Sequence, residues 1–231
     1  MILWLRSALF LLWFLFITTI LSLIFLPVLL LPRPATVWLA RLWSRVTFWG
    51  LKFFTGIGFE VRGAAPKGAA LVASKHMSMW DTLALYLVLD QPAIVLKREL
   101  LRIPFYGWFL WKAAAIPIDR AGGASALRRM SNTARRVLDD GRPILIFPEG
   151  TRKKPGAAPD YKPGVAGLYA LLGVDCVPVA LNSGVYWTGF LKRPGTIVLE
   201  FLEPIGPGLK RDAFMTLLQS RIETATSAIL P

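Results

Sequence analysis

Ala70-Leu71-Val72-Ala73-Ser74-Lys75-His76-Met77-Ser78-Met79-Trp80-Asp81-Thr82-Leu83 is the stretch on which the reading of this chain turns. Residues 70–73 are an uninterrupted apolar run of strand length, and 83–89 form a second run long enough for a short buried helix. His76 thus falls on a strand-to-helix turn, with Asp81 in the first turn of the helix. In one continuous helix, residues five apart would point about 140° away from each other. With the histidine in the loop the two side chains can meet. A neutral imidazole held by a carboxylate is equipped to take a proton from a hydroxyl, and a helix N-terminus beside it opposes positive charge on the ring. Ser78 and Asp81 also fit a capping box, so the carboxylate has a purely structural reading beside the catalytic one. His76 is the sole histidine in the sequence, so any histidine base working near neutral pH must be this one.

Outward from this turn the chain alternates. Strand-like runs fall at 59–61, 70–73, 93–96, 115–118, 144–147, 177–181 and 196–201, with helical stretches at 82–89, 105–111, 124–140, 165–172 and 211–224. Such alternation predicts an α/β fold, a largely parallel or mixed sheet flanked by helices. In the 124–140 helix, Leu127, Met130, Ala134, Val137 and Leu138 share an apolar face, Gly141 suits the C-cap, and Arg128, Arg129, Arg135 and Arg136 point outward. Ligands of open α/β sheets bind beyond the carboxyl ends of the strands. Three charged segments follow strands there: Lys97-Arg98-Glu99-Leu100, Asp119-Arg120, and Glu149-Gly150-Thr151-Arg152. Taken singly each is an ordinary charged loop. Together with His76 they outline a phosphate-binding pocket, because Arg can pair two hydrogen bonds with phosphate and Lys adds a point charge. Gly150 would permit a tight turn or close backbone approach.

Composition supplies the surroundings. A 55% hydrophobic content and a mean hydropathy of +0.51 exceed those of ordinary soluble domains and point to a membrane. Residues 7–31 carry no charge and are long enough to cross a hydrocarbon core about 30 Å thick. Pro27 leaves a re-entrant or dipping course open. Arg6 precedes this segment while Arg33, Arg41, Arg45 and Lys52 follow it, which places the remainder of the chain on the cytoplasmic face. Trp38, Leu42, Trp43, Val46, Trp49 and Phe53 recur near helical spacing among those cations, as expected for an amphipathic helix at the membrane interface rather than one turned to a core. The division expected is a membrane anchor over 1–55 and a globular domain over 56–231. A net charge of +13 suits anionic partners, and the apolar N-terminus favours lipid over nucleic acid, for which no binding motif appears. One cysteine, Cys176 in an apolar run, excludes an intrachain disulfide and reads as core. With one histidine and one cysteine, no metal site is expected.

His76-x4-Asp81 and Phe147-Pro148-Glu149-Gly150-Thr151-Arg152 together resemble the glycerolipid acyltransferase family, in its 1-acylglycerol-3-phosphate acyltransferase branch. Lys97-x-Glu99-Leu100 with Ile103-Pro104-Phe105-Tyr106-Gly107 and Ile118-Asp119-Arg120 looks like that family's second block, and Val177-Pro178-Val179-Ala180-Leu181 like its fourth. The likeness runs from about 59 to 203. It departs at Lys75, where the family often has Asn, and at Ala113-Ala114-Ala115, where a Gly is often seen.

The resemblance implies an acyltransferase domain over 56–231, moving an acyl group from a thioester to the 2-hydroxyl of lysophosphatidic acid and giving phosphatidic acid. The donor would be acyl-CoA or acyl carrier protein, a co-substrate, with no other cofactor. His76 would act as the base and Asp81 would orient it. Lys97, Arg120 and Arg152 would bind the acceptor phosphate, with Gly150 and Thr151 shaping the site and Glu149 orienting Arg152 or a glycerol hydroxyl. Met77, Met79 and Trp80 are the residues expected to line an acyl tunnel. The rival readings are the same chemistry on another lysolipid or on glycerol 3-phosphate, a hydrolase, and a non-catalytic lipid-docking module. No Gly-x-Ser-x-Gly elbow supports a covalent hydrolase.

Overall fold

The apolar runs build the strands of one seven-stranded sheet with helices on both faces. The computed structural model describes residues 1–118 and 123–231, without the side chains at 123, 124, 126 and 127. In chain order the elements are α1 (Ile2–Ile24), α2 (Arg33–Thr55), β1 (Ile57–Arg62), β2 (Leu71–Ser74), α3 (Trp80–Val88), β3 (Ala93–Lys97), α4 (Tyr106–Lys112) and β4 (Ile116–Ile118). They continue with α5 (Gly123–Asp139), β5 (Ile144–Ile146), α6 (Gly164–Leu172), β6 (Cys176–Leu181), α7 (Ser183–Tyr186), β7 (Trp187–Thr188), β8 (Leu191–Lys192), β9 (Gly195–Phe201) and α8 (Arg211–Ala228).

Strand order is β1-β9-β6-β2-β5-β3-β4. The five strands from β6 to β4 are mutually parallel, β9 runs antiparallel to β6, and β1 pairs parallel with β9. The sheet is therefore mixed. Its reversal follows from the connection between β6 and β9, which holds only α7 and the small β7–β8 hairpin and no crossover helix.

Alternate residues of the central strands feed two cores. Ala70, Val72, Leu145, Val177 and Val179 face a layer made by α1, α2 and α3, while Leu71, Ala73, Ile144, Ile146 and Cys176 face α5, α6 and α8. Burial on both faces explains why these strands read as continuous apolar runs rather than alternating ones. Met130, Ala134 and Val137 are buried on α5 as its periodicity predicts, and Arg128, Arg129 and Arg136 are exposed. The side chain of Leu127, expected on the same face, lies outside the described residues.

The N-terminal helices are closely tied to the sheet. At 23 residues α1 is about 34 Å long, and a short 3-10 turn over Leu26–Leu30, with Pro27 near its start, reverses the chain into α2. Arg6 Nε donates to Phe54 O (2.7 Å), Trp13 Nε1 to Val46 O (3.2 Å) and Trp43 Nε1 to Thr18 Oγ1 (3.0 Å), so the two helices lie antiparallel. Gly50 gives Trp13 its seat, since a Cβ there would come within 2.1 Å of the indole. Phe10, Val37, Phe48 and Leu51 enter the same buried cluster as Val72 and Trp80. The aromatic stripe expected at a membrane surface is thus divided: Trp38, Trp49 and Phe53 are exposed, whereas Trp43 turns inward to α1 and the core. The face of α1 opposite α2, including Leu5, Leu12, Leu15, Phe16 and Leu23, is exposed and apolar.

Candidate active site

His76 stands two residues beyond the carboxyl end of β2, and its Nδ1 lies 2.9 Å from Asp81 Oδ2. Asp81 is fully buried, and both of its oxygens are occupied. Oδ2 accepts the backbone N–H groups of Met77 (2.6 Å) and Ser78 (2.9 Å) as well as the imidazole. Oδ1 accepts the hydroxyls of Ser78 (3.1 Å) and Ser183. One carboxylate therefore both closes the turn into α3 and orients the ring, so the capping and the catalytic readings do not compete. Ser78 Oγ in addition accepts the Trp80 N–H at 3.2 Å. With Nδ1 committed to the carboxylate, Nε2 is the ring atom left for a substrate hydroxyl. The imidazole also stacks on Phe147, centroids 4.0 Å apart and planes 20° from parallel, which fixes its plane.

The loop after β5 supplies the second wall. Gly150 takes a left-handed φ of +63°, and its N–H closes a turn on Phe147 O (2.9 Å). Two residues past the Gly150-Thr151 step, Lys153 N–H donates to His76 O (2.9 Å), binding this loop to the histidine. Thr151 and Arg152 are exposed on it. Tyr106, at the start of α4, has its phenol pushed up by burial, a rise that the Arg152 guanidinium opposes. Lys97 is exposed at the end of β3, two strands from β2 on the same edge and roughly 10 Å away by strand spacing. Arg120 and its neighbour Asp119 lie outside the described residues.

Glu149 departs from its expected role. It is buried, and its oxygens meet groups other than Arg152: Oε1 the Lys75 ammonium (2.8 Å) and Oε2 the His76 backbone N–H (3.3 Å). Trp80 also departs: it is fully buried between Phe48 and Phe59 and borders neither of the two cavities described next. Instead, an apolar cavity of about 400 Å³ lies between the N-terminal helices and α3–α4, bordered by Thr36, Ala40, Thr82, Leu83, Tyr106 and Phe109 among others. Met77 borders a different, more polar cavity of about 590 Å³ beside α8.

Three participants escaped the sequence reading. Ser183 reaches Asp81 from 102 positions away, Glu223 on α8 accepts from Lys75, and Tyr161 donates to Glu223. Only the departure at Lys75 hinted that the histidine had an unusual neighbour. Among the described residues, no group of three or more His, Cys, Asp or Glu side chains could hold a metal ion.

The sequence model of the family described as Acyltransferase matches residues 58–182, a stretch that runs from β1 to β6 and holds His76 and Asp81 but stops one residue short of Ser183. The chain belongs to the acyltransferase family. This acyltransferase is 37% identical over 171 residues to a Pseudomonas aeruginosa protein named 1-acyl-sn-glycerol-3-phosphate acyltransferase, a match covering 72% of this chain and 65% of the relative. It is 33% identical over 180 residues to the Mus musculus 1-acyl-sn-glycerol-3-phosphate acyltransferase alpha, covering 73% and 62%. The matched stretch is thus less than two thirds of either relative. The fold of the acyltransferase is that of the Thermotoga maritima 1-acyl-sn-glycerophosphate acyltransferase PlsC, whose crystal structure superposes with a TM-score of 0.78 at 20% identity, covering 97% of both chains.

Proposed function

We propose that this acyltransferase moves an acyl group from a thioester to the 2-hydroxyl of a 1-acylglycerol 3-phosphate, giving phosphatidic acid. The observation carrying the reading is the His76–Asp81 pair at the carboxyl edge of the sheet, with Nδ1 committed and Nε2 free for a hydroxyl. The printed names of the relatives supply the acceptor.

In the reaction, Nε2 takes the hydroxyl proton as the acceptor oxygen attacks the thioester carbonyl. Asp81 stabilises the imidazolium that forms, and the tetrahedral intermediate collapses with expulsion of the thiol, which takes up the proton from His76. Transfer is direct, so no serine or cysteine nucleophile is needed, and the buried Cys176, whose thiol is pushed up by desolvation, stays a core residue. Arg152 binds the acceptor phosphate, with Lys97 adding charge from the neighbouring strand end. The apolar cavity, bordered by Leu83, Tyr106 and Phe109, holds an acyl chain. The donor is acyl-CoA or acyl carrier protein. The exposed apolar face of α1, with Trp38, Trp49 and Phe53, sits in the membrane on its cytoplasmic side, where the lipid acceptor and the soluble donor can both reach the site.

The test is thioester consumption with lysophosphatidic acid as acceptor. Wild type should form phosphatidic acid, His76→Ala should lose about 10²–10⁴-fold, and Arg152→Ala should raise KM for the acceptor. Turnover of His76→Ala at the wild-type rate sinks the proposal.

A further inference from the structure

His76 is held from two directions, and only one of them is Asp81. The other runs through its backbone. Glu149 Oε2 accepts the His76 N–H, and Glu149 Oε1 accepts the Lys75 ammonium. Lys75 Nζ also donates to both oxygens of Glu223 on α8, at 2.7 and 3.0 Å, and Tyr161 Oη donates to Glu223 Oε1 at 2.8 Å. The lysine and Glu149 side chains are 2% and 0% exposed. Glu223, at 26%, meets solvent where the polar cavity opens beside α8.

A buried ammonium must find acceptors, and Lys75 finds three oxygens on two carboxylates. If Glu223 loses its charge, Lys75 keeps Glu149 alone and is free to turn toward the cavity. Glu149 then loses the partner that fixes its carboxylate plane against the His76 N–H. Tyr161 supports the same post. Burial and Glu223 together push its phenol up, so it remains a proton donor to that carboxylate.

We propose that Glu223 is a positioning residue for His76, acting through Lys75 and Glu149, and that α8 thereby belongs to the catalytic apparatus. The inference rests on the reading of His76 as the base in acyl transfer.

The experiment compares wild type, His76→Ala, Glu223→Gln, Lys75→Met and the double variant Lys75→Met/Glu223→Gln. Steady-state kinetics in thioester consumption are measured beside thermal unfolding. Glu223→Gln should lower kcat about 10-fold, a coupling of the size found between groups sharing a network, with KM for lysophosphatidic acid unchanged. The double variant should fall no further than Lys75→Met, since both substitutions break one chain of contacts. A single histidine gives a second readout. Selective ¹⁵N-histidine labelling yields one backbone amide resonance, which should shift in Glu223→Gln and, more weakly, in Tyr161→Phe.

A merely structural role would lower Tm while leaving kcat and that resonance in place. Wild-type kcat in Glu223→Gln, or losses that multiply in the double variant, overturn the inference while an inactive His76→Ala upholds the base. Full activity in His76→Ala overturns the base and the inference with it.

Discussion

Asp81→Asn discriminates between two ways of losing a carboxylate. The asparagine amide has one acceptor oxygen and one donor NH₂, and it must face two differently equipped sides. On the Oδ2 side stand two backbone N–H groups and the imidazole Nδ1, which cannot all be met by a donor. On the Oδ1 side stand the hydroxyls of Ser78 and Ser183, which can rotate to accept. The amide should therefore put its NH₂ on the serines and keep its oxygen on the imidazole. The tautomer survives, and what disappears is the charge. Exchanging a charge-assisted hydrogen bond for a neutral one costs about 1–3 kcal/mol, or roughly 5- to 150-fold in kcat. An inverted tautomer would cost about 10⁴-fold.

The assay is initial-rate thioester consumption with lysophosphatidic acid near neutral pH, on variants whose unfolding transitions match wild type. In a Ser78→Ala/Ser183→Ala background the amide has no hydroxyl to donate to, and adding Asp81→Asn should drive the loss toward about 10⁴-fold. A loss near that value in Asp81→Asn alone would refute the reasoning, because it would mean that the serines do not hold the amide.

Three further outcomes can be checked. Ser183→Ala leaves Asp81 Oδ1 with Ser78 alone and should cost about 1 kcal/mol of stability and a several-fold drop in kcat, read by thermal unfolding and initial rates. Ala40→Phe narrows the apolar cavity from α2 and should shift the preferred acyl chain to shorter lengths in a competition between acyl thioesters; an unchanged profile would show that the chain lies elsewhere. Lys192, buried under Phe10 of α1 and the Trp187 ring, has its ammonium pushed down to about 8 by desolvation. The unfolded chain binds this proton more tightly than the native one, so the penalty is full below pH 8 and fades as pH rises toward the ordinary lysine value. Lys192→Met should remove that part of the rise in stability between about pH 8 and 10.5 that wild type shows in chemical denaturation.

Much of the fold was legible because the central strands are buried on both faces. Runs such as 70–73 and 144–147 cannot be anything solvated, and the charged segments after them mark the carboxyl edge. The His76–Asp81 pair was legible for a local reason, since its spacing across a strand-to-helix turn is short enough to be read directly. What was not legible depends on partners remote in sequence. Nothing local marks Ser183 as a donor to Asp81, and nothing in the 211–224 pattern distinguishes Glu223 from a solvated acid on a helix. Glu149 looked like a group of the substrate site because it lies beside Gly150-Thr151-Arg152, but the strand pairing of β2 with β5 sets it against Lys75 and the His76 backbone. The aromatic spacing of α2 could not say which tryptophan met lipid, because both α1 and the sheet compete for its faces.

One carboxylate closes the first turn of α3 and aims the imidazole. Winding that turn and arming the base are consequently a single event. If the first turn of α3 frays, Met77 and Ser78 lose their acceptor together with the ring, and a chain otherwise intact is silent. Turnover is then a thermometer for one helical turn: along a denaturant or temperature ramp it should vanish with the protection of the Met77 and Ser78 amides against hydrogen exchange, ahead of the strands.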